Sequence, residues 1–173
     1  MILYQREYDL KQYDAEVLKK YNLEPKIYIY VGATTKKMYE RNSKWRYSIL
    51  NNQFCVSKEI KQFIYDLKRF YKYELDMLND EIDKKLFYEY DVLAETNDFQ
   101  MLRELEQVTN ASYLTLEFIK QEIVLLSKHD TKIKIDNNKI VIKKNYKIRI
   151  NKSKYAIIDK EKNTQSLAAE SVF

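Results

Sequence analysis

The order of hydrophobic and polar residues predicts strands and helices in the first part of the chain. Residues 2–8 are typical of a short strand. Residues 26–31 are rich in β-branched and aromatic side chains and predict a stronger strand that Gly32 closes. Between these strands, apolar residues at helical spacing predict a helix that ends at Asn22 and Pro25; they are Leu10, Tyr13, Val17 and Tyr21.

Helical patterns follow the second predicted strand. Thr34 or Thr35 is the expected N-cap of a helix that runs to about Leu50. Ser57 is the expected N-cap of the next helix, whose apolar stripe is Ile60, Phe63, Ile64, Leu67, Tyr71, Leu75 and Leu78. The alternation over 86–93 then predicts another strand.

Two more helices are predicted before residue 128. Asn97 or Asp98 is the expected cap of the first, with Phe99, Leu102, Leu105 and Val108 on one side. The second is predicted over 113–127. The pattern as a whole indicates an α+β fold, in which helices flank a small antiparallel sheet.

The chain changes character after residue 128. Period-two alternation over 132–136 and 139–143 flanks Asn137 and Asn138, which predicts a β-hairpin. Residues 146–150 and 155–158 resemble a second pair of strands. We therefore divide the chain into an α+β core over 1–128, a basic β segment over 129–160 and a flexible tail over 161–173.

Positive charge is concentrated in the basic segment. The chain has a net charge of +5, yet residues 131–160 alone hold nine lysines and one arginine against two aspartates. Such a surface suits the phosphate backbone of a nucleic acid. Lysines also protect exposed sheet edges, so a solvated β surface is an equally weighted interpretation.

The composition excludes several common kinds of site. A single glycine rules out a glycine-rich phosphate loop, and one histidine with one cysteine cannot form a zinc knuckle or an internal disulfide. The polar N-terminus does not resemble a signal peptide, and no apolar run is long enough to span a membrane. We expect a cytoplasmic protein, and the Lys, Asn, Ile and Tyr bias is common in phages and mobile elements.

One stretch carries a recognisable pattern. Residues 28–41 place a Tyr-Val-Gly motif at the end of a strand, then small and hydroxyl residues, then a helix with Arg41. Farther on, residues 86–108 form a strand, a polar loop and a helix that presents Glu106 after a leucine. In this order the two stretches resemble the GIY-YIG nuclease family over roughly residues 26–110.

The resemblance implies a site that hydrolyses phosphodiester bonds in DNA with Mg²⁺ or Mn²⁺. It gives Tyr30 the role of base or nucleophile-orienting group, Arg41 that of phosphate clamp and Glu106 that of metal ligand. Gly32 is expected to let backbone and substrate approach closely. Further contacts to nucleic acid are expected from basic side chains in the core and the basic segment: Lys36, Lys37, Arg46, Lys143, Lys147 and Arg149.

Three assignments depart from the family pattern. The first Gly-Ile-Tyr motif is not recognisable; Tyr4 or Tyr8 replaces its tyrosine if 2–8 is a strand, whereas Tyr21 has the usual spacing within a helical pattern. Trp45 lies one turn after Arg41, where the family often has His or Tyr, and leaves Tyr47 as the substitute. The glutamate is Glu106 or Glu104.

These departures define two hypotheses. The first is a DNA endonuclease with a GIY-YIG-like site. The second is an inactive relative that binds nucleic acid or inhibits a protein partner, because tryptophan cannot serve as a base. An accidental match within an unrelated α/β protein is a third interpretation.

Overall fold

The fold is α+β, with one four-stranded mixed sheet between helices. The computed structural model describes residues 1–51 and 56–127 in full, and only the backbone of 133–136 and 139–142. The helices are α1 (Ala15–Lys19), α2 (Met38–Leu50), α3 (Lys58–Tyr73), α4 (Asn79–Asp83) and α5 (Phe99–Lys120). The strands of the sheet are β1 (Ile2–Asp9), β2 (Ile27–Thr34), β3 (Asp91–Glu95) and β4 (Ile123–Leu125).

Strand order in the sheet is β3-β1-β2-β4. β1 pairs antiparallel with β2 over their whole length, from Ile2 opposite Thr34 to Asp9 opposite Ile27. β3 pairs antiparallel with the other edge of β1, with a bulge between Leu3 and Tyr4. β4 instead runs parallel to β2. The expected purely antiparallel sheet is therefore wrong at one edge.

The parallel strand arises because α5 is one long helix. The expected second helix over 113–127 is wrong: α5 continues to Lys120, and Gln121 ends it in the left-handed conformation. α5 returns the chain along the sheet, so the next segment meets β2 in a parallel direction. Ile123, Val124 and Leu125 have side chains that suit a helix or a strand, and pairing with the distant β2 decides between them.

Other boundaries also differ from the expectation. The predicted helix over 10–21 is only Ala15–Lys19, capped by the Asp14 carboxylate. Gly32 does not close β2, which continues to Thr34. The N-cap of α2 is Lys37 rather than a threonine, since the Thr34 hydroxyl accepts a hydrogen bond from the Lys36 N–H in the turn before the helix.

The segment predicted as a strand over 86–93 is helical at its start and a strand only at its end. Lys84–Tyr88 forms a π-helical turn, and β3 begins only at Asp91. Side chains of β1 satisfy carbonyls in this segment: Arg6 Nη1 donates to the carbonyls of Phe87 and Glu89, and Tyr8 Oη donates to that of Leu86. Because these side chains satisfy the carbonyl groups, the segment does not need to pair with a strand.

Locally encoded features match the expectation. Ser57 Oγ accepts a hydrogen bond from the Ile60 N–H and caps α3, and Asp98 caps α5. The predicted stripe of α3 is buried as far as Tyr71, whereas Leu78 lies beyond the helix and is exposed.

The two faces of the sheet bury different cores. Tyr4, Tyr8, Tyr28 and Tyr30 point to the face covered by α2, α3 and the π-helical turn. The other face carries Leu3, Ile29 and Val31, which pack against Leu102 and Leu114 of α5. Alternation along β1 and β2 thus separates a tyrosine face from an aliphatic face.

Two further strands lie after the core. β5 (Ile133–Asp136) and β6 (Lys139–Ile142) pair antiparallel and form a separate two-stranded sheet. Asn137 and Asn138, the side chains of both strands and all of 143–173 lie outside the described residues, as do the predicted strands over 146–150 and 155–158. Within the described part of the chain, no helix is long and apolar enough to cross a membrane.

Candidate functional site

Gly32 makes room for two tyrosine rings. It lies opposite Tyr4 in the β1–β2 pairing, and Tyr30 precedes it by two residues on the same face. A Cβ atom at Gly32 would lie 2.7 Å from Tyr4 Oη and 2.9 Å from Tyr30 Cε1, closer than ordinary contact allows. Its φ angle is not positive. Glycine is therefore required at this position because the Tyr4 ring occupies the space that a side chain would need.

Arg41 joins the two tyrosines from α2. Its Nε donates to Tyr4 Oη at 2.9 Å, and its Nη2 donates to Tyr30 Oη at 3.3 Å. Burial lowers the pKa of the Arg41 guanidinium, but the two hydroxyls raise it by more, so the net shift is upward. The side chain is a permanent cation held by two phenol oxygens.

The structure distinguishes the three tyrosines considered for the missing first motif. Tyr4 contacts Arg41, whereas Tyr8 lies opposite Tyr28 and donates to the carbonyl of Leu86. Tyr21 donates to Glu74. Tyr4 is thus the one of the three that lies beside Tyr30 and Arg41, with the Tyr4 and Tyr30 ring centroids 6.3 Å apart.

A cleft of about 330 Å³ opens next to this group, at the end of β2. Every charged side chain among the described residues that line it is a cation, and none is a carboxylate. Hydroxyl groups and an indole add polar lining. The polar and charged lining residues are Thr34, Thr35, Lys36, Arg41, Lys44, Trp45, Ser48 and Arg103.

Trp45 contributes an unpaired donor to this cleft. Its side chain is buried, with the ring centroid 4.5 Å from that of Tyr30 and 5.6 Å from the Arg41 guanidinium carbon. Within 1–51 and 56–127, its Nε1–H has no hydrogen-bond partner. A buried N–H without a partner is costly, which makes this donor a candidate contact for a ligand.

Glu106 lies on the other side of the sheet from the tyrosines. It belongs to the inward stripe of α5, at one-turn spacing from Leu102 and Asn110, on the helix that covers the aliphatic face. Only 7% of the residue is exposed, and its Oε2 accepts a hydrogen bond from Arg103 Nη1 at 2.8 Å. Glu104, the alternative, accepts from Gln100. The Glu106 carboxylate thus holds an arginine that lines the cleft.

The described residues do not fit a divalent cation beside Arg41. Within 1–51 and 56–127, no group of three His, Cys, Asp or Glu side chains could hold a metal ion. The carboxylate that the family resemblance assigns to the metal is engaged by Arg103, and cations surround the cleft. Mg²⁺ prefers oxygen ligands and is repelled by neighbouring positive charge.

The remaining predicted contacts have different environments. Lys36 lines the cleft, whereas Lys37 is exposed at the start of α2. Arg46 forms a hydrogen-bonded ion pair with Asp83, with Nη2 2.6 Å from Oδ2. Tyr47 is 55% exposed, and six helical residues turn it about 120° away from Arg41. Lys143, Lys147 and Arg149 lie outside the described residues.

Two of the four described cations of the cleft, Lys44 and Arg103, were not predicted from the sequence. Lys44 follows Arg41 by three residues and Arg103 precedes Glu106 by three, so each pair shares a helix face. That spacing is the signal that could have found them. No family model, no curated protein and no solved structure matches the chain.

Proposed function

We propose that this protein binds nucleic acid, specifically the phosphodiester backbone of DNA, in the cleft beside Arg41. The observation that carries the proposal is the charge of the lining, where Lys36, Arg41, Lys44 and Arg103 face one cavity without a carboxylate among its described residues. Phosphate oxygens are acceptors with negative charge, and a site made of cations and N–H donors suits them.

Arg41 is arranged as the central contact. A guanidinium has five N–H donors, and the two tyrosine hydroxyls engage only Nε and Nη2. Nη1 remains to meet a phosphate oxygen. Because Tyr4 and Tyr30 fix the side chain in advance, little rotamer entropy is lost when the phosphate binds.

Trp45 supplies a neutral donor to the same phosphate. An indole N–H can donate but cannot accept a proton. Trp45 therefore supports binding, while it offers no base at the position where the family often has His or Tyr.

Fluorescence anisotropy of a short labelled duplex across a series of salt concentrations tests the binding proposal. We expect the affinity to fall steeply with salt, and Lys44→Gln to reduce the slope of log K against log salt by roughly one unit. Trp45→Phe keeps an aromatic ring but loses the N–H, and should weaken binding by about tenfold at constant slope.

Lys11→Gln is the matched control, because it removes an exposed lysine in the turn after β1. Equal losses in Lys44→Gln and Lys11→Gln would exclude the cleft as the binding site. No binding at low salt by a folded protein would favour the protein-partner hypothesis instead.

Hydrolysis of the bound phosphodiester is a second candidate function. It is favoured by one observation: Arg41 donates to Tyr30, which the resemblance to GIY-YIG nucleases names with it, and to Tyr4, one of the three tyrosines considered for the first motif. In that hypothesis Mg²⁺ or Mn²⁺ would be required. Since the described carboxylates do not fit the ion beside Arg41, we assign no catalytic step to it.

Glu106→Gln separates the two functions. If Glu106 holds Arg103 at the phosphate, the variant should bind DNA more weakly in EDTA, without any metal. If Glu106 binds a metal, the variant should retain its affinity in EDTA and lose nicking of supercoiled plasmid in Mg²⁺ or Mn²⁺. Absence of nicking by the folded wild-type protein with either metal would contradict the nuclease hypothesis and leave the binding proposal intact.

A further inference from the structure

A second cleft lies away from the cationic one and has the opposite character. Its volume is about 500 Å³, and it is bordered by α3, the start of β2 and the residue after β4. Among its described lining residues are Asp66, Gln62, Tyr28 and Phe63, with Lys58 and Glu59 beside them. Lys58 and Glu59 have opposite charges, so Asp66 determines the net charge of this lining.

The Asp66 carboxylate is buried and only half satisfied. The residue is 3% exposed, and its Oδ2 accepts a hydrogen bond from Gln62 Nε2 at 2.9 Å. Its Oδ1 is buried and has no hydrogen-bond partner among the described residues. An acceptor left without a donor inside a protein costs free energy, and a charged one costs more, so a cationic donor placed there would be bound favourably.

Two aromatic rings complete the environment of a cation. Tyr28 and Phe63 stack with centroids 4.4 Å apart and an interplanar angle of 28°. An aromatic face attracts an ammonium or guanidinium group, and adds to the attraction of a carboxylate. The cleft has the size of a small-molecule site rather than of a single ion.

We propose that this second cleft binds an organic cation with an alkylammonium or guanidinium head, which donates to Asp66 Oδ1. Gln62 holds the carboxylate by its other oxygen, and the Tyr28–Phe63 pair borders the cation. A bare metal ion is disfavoured, because no group of three His, Cys, Asp or Glu side chains that could hold one occurs among the described residues.

Two probes distinguish the sources of such a head group. Spermidine represents a free polyamine, and N-acetyl-arginine-N-methylamide represents an arginine of a partner protein. Binding is measured by the rise in melting temperature and by the NMR shift of the Gln62 side-chain amide. N-acetyl-citrulline-N-methylamide has nearly the same shape as the arginine probe without its charge, and is expected not to bind.

Asp66→Asn is the decisive variant, because it removes the charge at nearly constant volume. We expect at least a tenfold loss of affinity for the probe that binds. Asp91→Asn, which removes an exposed carboxylate on β3, should bind as the wild type does. Binding of spermidine alone identifies a free amine, and binding of the arginine probe alone identifies a protein side chain.

The proposal is overturned if neither probe shifts the Gln62 amide of the wild-type protein. It is also overturned if Asp66→Asn binds as tightly as the wild type, or if the citrulline probe binds as tightly as the arginine probe. The wild-type amide shift does not depend on the stability of any variant, so the test stands even if Asp66→Asn is poorly folded.

Discussion

The two faces of the central sheet are built from the same strands and differ completely in chemistry. One face buries Tyr4, Arg6 and Tyr8 of β1, whereas the other buries Leu3 of the same strand and Val31 of β2. The aliphatic face packs against α5 and makes few polar contacts with it, such as the hydrogen bond that Tyr113 Oη donates to Gln5 Oε1. The tyrosine face needs partners for its polar atoms, and these come from α2 and from the π-helical turn.

This difference shows why the candidate site lies where it does. A buried tyrosine fixes its neighbours through its hydroxyl group as well as through its ring. Arg41 is therefore held in one orientation by Tyr4 and Tyr30, at the end of the tyrosine face where the cationic cleft opens. The aliphatic side chains of the other face offer no hydrogen-bonding group that could orient a charged side chain, and there it is Glu106 of α5 that holds Arg103.

The largest expected loss of stability is that of the Arg6→Met variant on the tyrosine face. Arg6 is 1% exposed and donates to the carbonyls of Phe87 and Glu89 and to Asn42 Oδ1. Methionine leaves these acceptors unpaired, so we expect the free energy of unfolding in urea to fall by about 3 kcal/mol or more. Leu3→Met, the control on the aliphatic face, should cost less than about 1.5 kcal/mol. Equal losses would contradict the distinction.

A smaller effect is expected from Gly32→Ala. The added methyl group overlaps Tyr4 and Tyr30, and overpacking of this kind costs about 2 kcal/mol. Tyr4→Leu removes the Tyr4 atoms that the added methyl group overlaps. The double variant should therefore be less destabilised than the sum of the two single changes. Additive losses in urea unfolding would show that the Tyr4 ring is not what requires glycine.

The smallest expected effect is a loss of stability at high pH, caused by buried tyrosines of the tyrosine face. Burial raises the pKa of Tyr8 and of Tyr71 above the ordinary value of 10.0. The folded state then keeps a proton that the unfolded chain loses. Their contribution to stability is complete below about pH 10, and falls above it by about 1.4 kcal/mol per pH unit for each group.

Alkaline urea titrations of the wild type and of Tyr8→Phe measure this slope. The variant should lose stability less steeply above pH 10, although it also lacks the hydrogen bond to Leu86 at every pH. An identical slope in both proteins would mean that Tyr8 is not protected from ionisation by the fold. Tyr47→Phe, at a largely exposed tyrosine on α2, is the control and should leave the slope unchanged.

Much of the fold could be predicted, and the errors have a common cause. Ser57 and Asp98 were recognised as caps because a cap depends on atoms within three residues of it. β4 and the π-helical turn were missed, because each depends on partners far away along the chain: β2 for the first, and Arg6 and Tyr8 for the second. Periodicity contains no information about such partners.

The candidate site also has a part that could be predicted from the sequence and a part that could not. The sequence singled out Tyr30, Gly32 and Arg41 as one motif, but left Tyr4, Tyr8 and Tyr21 as alternatives for the first tyrosine. Register decides between them, since Tyr4 lies opposite Gly32, where no Cβ excludes its ring. The position of Glu106 on the opposite side of the sheet also depended on how α5 packs, whereas its pairing with Arg103 is local to the helix.

The sequence by itself determined the local elements of this protein: the first two strands, the capped α3 and the start of α5. It also determined the one glycine that the tyrosine face requires. Only the tertiary structure decided which cations share a cleft and which carboxylate oxygen has no partner among the described residues. Charge and hydrogen bonding act through space, and side chains far apart in sequence meet only when strands and helices pack.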